Sequence, residues 1–289
     1  MYLLSYRERG HHRPQQYWER GRPRPQQTSV PDRSTIFSLL VGSLVVFSLA
    51  CNVERARNRV DEKNLPQVIL WAWERPEDLR FLTSSRHGVA FLAQTLVLKK
   101  DEVIYKPRRQ PLKLAPATRA IAVTRIESTK SNGDRPSLSA VQRAKLVHLI
   151  RETLKLPAVW AIQIDFDAVT SERQFYRMLL TDLRSNLPDD TPLSMTALAS
   201  FCLGDRWIKD LPVDEAIPMA FRMGTDSPKI RSLLEEGNDF RGELCRRSYG
   251  IALDEPLNAK FDGTRRVYAF NTRSWRPEDL QLLEARLQK

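Results

Sequence analysis

From position 65 onward, short apolar runs recur along the chain, separated by helix-prone or irregular stretches. Eight runs read as strands, over 67–73, 88–98, 120–126, 158–166, 193–198, 216–221, 248–253 and 266–270. Leu146, Val147, Ile150 and Leu154 fall at helical spacing and predict a helix over 139–154. Further helices are expected over 171–187, around 228–234 and over 277–287. Arg75-Pro76-Glu77-Asp78, with proline and acids together, reads as the start of a helix after the first strand.

Short apolar strands with little polar alternation are what parallel strands buried on both faces look like. Eight of them within about 250 residues is the size of a (β/α)8 TIM-type barrel. A doubly wound open sheet is the runner-up, but its usual glycine-rich turn after the first strand is missing, since Trp73-Glu74-Arg75-Pro76 stands there. The second and seventh units are irregular. Residues 99–118 read as hairpin or loop, with Val103-Ile104-Tyr105 as an extra strand, and 254–264 is too short and too proline-broken for a full helix.

The pattern before position 65 is different. Residues 1–33 are rich in Arg, Pro and Gln without any period, as in Arg20-Gly21-Arg22-Pro23-Arg24-Pro25, and read as a disordered tail. No charge lies between Arg33 and Glu54, and the uncharged run over 34–53 predicts a membrane-spanning or signal-anchor segment. The positive-inside rule keeps the Arg-rich side cytoplasmic and places the barrel domain, 66–289, on the periplasmic face of an inner membrane after a linker over 54–65. A cleaved signal, giving a secreted protein, and a lipoprotein acylated at Cys51 after Leu49-Ala50 are the alternatives.

Charge changes the picture little. The net +11 includes +4 from the first 35 residues, with seven Arg against three acids, and the rest is spread thinly. No basic stripe with interleaved aromatics is present, so nucleic acid is not an expected partner. Three cysteines exclude a disulfide scaffold. Cys202 and Cys245 are the candidates for one bridge, but the barrel register puts one after a strand and the other before one, toward opposite rims, so they are expected apart. With four histidines and none at a strand end, histidine-based catalysis has no support.

The barrel pattern locates chemistry at the C-terminal strand ends. Alternation puts Gln163, Asp165 and Asp167 on one face, toward the lumen. Buried carboxylates there mean either a ligand site or an ion pair with Arg125 or Arg222. Glu127 and Glu255 are candidate second carboxylates across the mouth. Trp71, Trp73, Asn271 and Trp275 are candidate binding residues, with the tryptophans as flat platforms for sugar rings, and Arg125 and Arg222 would fix an anionic substituent. A hard cation held by Asp165, Asp167 and Glu127 is the competing reading of these acids; no metal and no cofactor is expected.

Gln163-x-Asp165-x-Asp167 with Ser171-Glu172-Arg173, then Thr196-Ala197-Leu198-Ala199-Ser200-Phe201-Cys202, Pro218-Met219-x-Phe221-Arg222-Met223-Gly224 and Asp254-Glu255-Pro256, resembles a bacterial barrel family known only as a domain of unknown function, over roughly 66–289. A looser resemblance is to chitinase-type glycoside hydrolases. They carry an acidic D-x-D-x-E run at the end of the fourth strand, M-x-Y on the sixth and a Trp at the eighth. Gln163-x-Asp165-x-Asp167, Met219-x-Phe221 and Trp275 stand at those places, with Gln163, Asp167 and Phe221 replacing Asp, Glu and Tyr. The resemblance implies a glycan-active hydrolase working through lumen carboxylates, with Asp167 as the acid. The replacements favour the alternative, an inert carbohydrate- or envelope-binding barrel.

Overall fold

The computed structural model describes residues 65–204 and 207–288. The expected tail, the uncharged run with Cys51, and the linker up to position 64 lie outside the described residues. Eight parallel strands close into a barrel. They are β1 (Val68–Ala72), β3 (His87–Lys99), β6 (Arg119–Ser128), β7 (Val159–Asp165), β8 (Leu193–Leu198), β9 (Glu215–Met219), β10 (Ser248–Ala252) and β11 (Arg266–Phe270). Closure comes from β1, which pairs with β3 on one side, from Val68 opposite His87 to Ala72 opposite Phe91, and with β11 on the other. All eight predicted strands are present to within a few residues, and the fold is a TIM-type α/β barrel. Among the described residues no helix is long and apolar enough to cross a membrane.

Five helices follow the barrel strands β6, β7, β8, β9 and β11: α1 (Ala140–Glu152), α2 (Arg173–Asn186), α3 (Ala199–Leu203), α4 (Ser227–Glu235) and α5 (Pro277–Leu287). α1 starts with a capping box. The Ser139 hydroxyl accepts the Gln142 N–H at 3.2 Å, and the Gln142 amide oxygen accepts the Ser139 N–H at 3.3 Å. α1 and α2 bury Leu146, Val147, Ile150, Leu179, Leu180 and Leu183 against the outer faces of the strands.

The helix expected after the first strand is not there. Glu77–Leu79 forms β2, which pairs in parallel with β5 (Leu112–Leu114). Glu77 has been drawn inward instead. Its carboxylate accepts the Arg75 Nε at 2.8 Å and the Trp275 main-chain N–H at 3.0 Å. Glu77, which reads as part of a first helical turn, thus ties the first unit of the barrel to its last. The second unit is irregular as expected. β3 outruns β1, turns at Lys100 and returns antiparallel as β4 (Glu102–Pro107). The seventh carries no helix over 254–264.

Candidate functional site

The lumen fills in layers. Ile69, Trp71, Ala90, Ile121, Val123, Ala161, Ile217 and Tyr268 form an inner apolar cluster separate from the core under the helices. A register shift between β6 and β7 leaves Trp160 as an extra residue, so that Ala161, Gln163 and Asp165 share the inner face. At the floor, Glu215 accepts the Tyr268 hydroxyl at 2.7 Å and an Arg266 guanidinium N–H at 3.1 Å. In the middle, the Trp71 indole donates to Gln163 Oε1 at 2.7 Å, and Gln163 Nε2 donates to Ser194 Oγ at 3.2 Å. Gly250 permits this plug, since a Cβ there would stand 2.9 Å from the Pro218 carbonyl and 3.2 Å from the Trp71 ring.

Above the plug sits Asp165, 6% exposed. Its Oδ1 accepts the Thr196 hydroxyl at 2.7 Å, and Arg125 NH1 lies 3.6 Å from its Oδ2. Burial pushes its carboxyl up to about 6. The Thr196 hydrogen bond opposes that rise and the Asp167 charge adds to it. Asp167 lies past the end of β7, exposed to solvent, and no hydrogen bond or ion pair of the described residues engages it. Arg125 also bonds Glu127 at 3.0 Å and lies over the Trp73 ring, 5.9 Å from its centroid.

Across the mouth, Phe221 and Phe270 stack 5.4 Å apart with planes 6° from parallel, and Trp73 meets Phe270 edge-on. Arg222 covers Phe270 at 4.9 Å. It holds a left-handed φ of 51°, an uncommon conformation for a residue with a side chain. Glu255 and Asp254 fix it there. The Arg222 N–H donates to Glu255 Oε2 at 2.9 Å, and its NH2 lies 3.3 Å from Asp254 Oδ2. The mouth is therefore an aromatic shelf flanked by two arginines, each tied to carboxylates, with one buried acid and one open acid beside it.

The structure brings Asp165, Asp167, Glu127, Arg125, Trp73, Arg222 and Glu255 to this end of the barrel and leaves four candidates elsewhere, with Gln163 fully buried in the plug beneath Asp165. Trp71 lies in the plug, with its face taken by Tyr268 at 5.4 Å and Phe221 at 6.1 Å. Trp275 is buried in the outer core, where its indole donates to the Trp71 carbonyl at 2.9 Å. Asn271 is buried, and its amide donates to Asp279 at 3.3 Å. As placed, Trp71 and Trp275 cannot stack on a ligand, because other side chains already cover their rings. Among the described residues no group of three or more His, Cys, Asp or Glu side chains is arranged to hold a metal ion.

Sequence reasoning missed Thr196, Ser194 and Arg108. The first two were visible as inward positions of the fifth strand, one register step from Gln163 and Asp165. Arg108 falls in the stretch 99–118 that reads as hairpin or loop. It is half-buried and donates to the carbonyls of Trp73 and Arg75, both at 2.6 Å, pinning the end of β1 beneath the shelf. The expectation for the cysteines is corrected. Cys202 and Cys245 form a disulfide with Cα atoms 5.8 Å apart. Strand register placed them at opposite rims, but neither is on a strand. α3 and the 3-10 turn Glu243–Arg246 both pack on β9, and the Arg241 and Gly242 N–H groups reach the Cys202 carbonyl. Compared with family models, curated proteins and solved structures, the chain matches none.

Proposed function

We propose that the mouth of this barrel takes a glycan of the cell envelope and that Asp167 and Asp165 cleave a glycosidic bond in it. The observation that carries this reading is the pairing of two unlike carboxyls two residues apart. Asp165 is buried and titrates at about 6. Asp167 is exposed just past the end of β7, close enough for its charge to raise Asp165. Carboxyl groups in unlike surroundings are how a site divides acid from base work. Asp167 is the group able to touch a glycosidic oxygen. It protonates that oxygen as the C–O bond breaks, a water adds to the anomeric carbon and its released proton restores the acid, while Asp165, ionised above about 6, supplies the negative charge beneath the cationic sugar. The distant likeness of Gln163-x-Asp165-x-Asp167 to the chitinase acidic run supports the same assignment.

A second reading, a barrel that binds glycan without cutting it, is favoured by Arg125. It lies between Asp165 and Glu127 and holds both in a charged cluster. Turnover of envelope glycans by the full chain separates the two. Asp167→Asn is expected to cost roughly 10²–10⁴-fold in rate with binding kept, the usual worth of general acid–base catalysis. Unchanged turnover removes Asp167 as the acid, and retention of glycan without any turnover makes the binding reading the correct one.

The proposed location is the periplasmic face of an inner membrane, with 34–53 as the anchor. The Cys202–Cys245 bridge supports it, since structural disulfides persist in oxidising compartments. A reporter active only in the periplasm, fused after Lys289, should give signal. Activity restricted to a cytoplasmic reporter would remove both the location and the envelope glycan.

A further inference from the structure

We infer that β4 is a self-complementary edge through which two copies of this chain pair antiparallel about a two-fold axis at Ile104. Among the described residues β4 is the last strand of its sheet and is bonded only to β3. Which of its main-chain groups are free follows from the ladder. The Arg108 N–H donates to the Ala93 carbonyl at 2.9 Å, and the Leu98 carbonyl accepts the Thr129 N–H, away from β4. Hydrogen-bonded pairs alternate in an antiparallel ladder, so Glu102, Ile104 and Lys106 bond inward to β3. Val103 and Tyr105 therefore point their N–H and C=O groups outward. Among the described residues no hydrogen bond reaches those groups from that side. Pro107 has the same parity, so its missing N–H costs the hairpin nothing.

The side chains then select one register. Pairing Val103 with Tyr105 of a second copy satisfies the four free N–H and C=O groups on each strand. The same register sets Glu102 opposite Lys106 twice and Ile104 opposite itself. Shifting by one residue in either copy turns bonded groups toward each other. Centring instead on Val103 sets Lys106 against Lys100, a like-charge pair. The surfaces concerned are open: Ile104 is 37% exposed, Tyr105 51% and Val141 76%. Val141 stands next to Gln142, whose amide donates to the Glu102 carbonyl at 3.0 Å. A two-fold axis needs one patch that is complementary to itself, and Glu102-Val103-Ile104-Tyr105-Lys106 is such a patch.

Light scattering of the purified full chain, with bound detergent subtracted, should give the mass of two copies at tens of micromolar. Glu102→Lys and Lys106→Glu each oppose like charges and should weaken self-association at least tenfold, while the double exchange restores it. Tyr105→Pro removes an outward N–H only and should give monomer with an unchanged near-ultraviolet spectrum. In a Cys51→Ser background, Ile104→Cys should cross-link to itself on mild oxidation. A monomeric parent chain overturns the proposal. So does a dimer that survives both single charge reversals, or one in which Ile104→Cys stays uncross-linked.

Discussion

One lumen buries two carboxylates, Glu215 at its floor and Asp165 at its mouth, and their surroundings differ. Glu215 has its needs met by the buried Tyr268 hydroxyl and by the Arg266 guanidinium, which is only 13% exposed. Burial raises the Tyr268 phenol well above its usual range, and the Glu215 charge adds to the rise, so Tyr268 stays a donor. Asp165 has one short neutral hydrogen bond, from Thr196. Its cation, Arg125, is 36% exposed and is shared with Glu127. Completed pairing marks a carboxylate as part of the scaffold, whereas incomplete pairing next to solvent leaves one able to change its protonation and its partner.

The contrast breaks first at the floor. Glu215→Gln keeps an acceptor for Tyr268 but takes the carboxylate from Arg266. Losing one partner of a buried ion pair typically costs about 3–5 kcal/mol. Urea unfolding should show a loss of that size. A loss under about 1 kcal/mol would mean that solvent reaches the floor and that the two acids are not different in kind.

Asp165→Asn tests the other side. The folded-state value of about 6 lies above the ordinary 3.8, so the native state holds the proton more tightly than the unfolded chain. Stability from this group is full below the unfolded value and is lost as pH rises through about 6. At about 1.4 kcal/mol per unit, the whole loss is about 3 kcal/mol, of which roughly 2.4 kcal/mol falls between pH 4 and 7. Asn fills the same space and accepts from Thr196, so the variant should lack this decline and match or exceed the parent at pH 7. Unfolding free energies at pH 4, 5, 6 and 7 decide it; parallel curves for the two proteins would show that Asp165 does not titrate in this range.

The difference between these acids was only half legible in the sequence. Strand positions were readable because each barrel strand is a short apolar run between breakers, and the two-residue period then gave the inward face of β7, hence Gln163 and Asp165. Glu215 was lost because an acid at the start of an apolar run reads as the end of a loop, and its partners lie 51 and 53 residues away. Trp275 and Asn271 were placed at the mouth because they follow a strand end. A loop has no period to say where a side chain points, and both turned into the outer layers. Cys202 and Cys245 failed for the same reason, since their approach depends on how α3 and a 3-10 turn fold back on β9.

Between floor and mouth lies the Trp71–Gln163–Ser194 plug, and Gly250 tests whether it insulates the two. Gly250→Ala puts a methyl group against the Pro218 carbonyl and the Trp71 ring. Overpacking of this kind costs roughly 1–3 kcal/mol. Tilting Trp71 would also loosen its bond to Gln163. If the plug insulates the mouth, Asp165 becomes more accessible to water and its carboxyl falls toward the ordinary range, which carboxyl NMR would read directly. A destabilised protein with Asp165 still near 6 would place the cause of its burial in the shelf above.

The smallest expected effect is the one that best sharpens the comparison. Glu127 lies on the surface and competes with Asp165 for Arg125, through Nε at 3.0 Å against NH1 at 3.6 Å. Its charge also adds to the upward push on Asp165. Glu127→Gln removes that charge and frees Arg125 to close on Asp165, and both changes lower the Asp165 value. Global stability should move by no more than about 0.5 kcal/mol, because exposed pairs contribute little. A fall in the Asp165 titration without a change in unfolding would show that a surface residue tunes the mouth acid while the scaffold is untouched, which Glu215, enclosed by its partners, does not allow. If Asp165 titrates as before in the variant, burial alone sets its value, and Arg125 belongs with Glu127 as an ordinary surface pair.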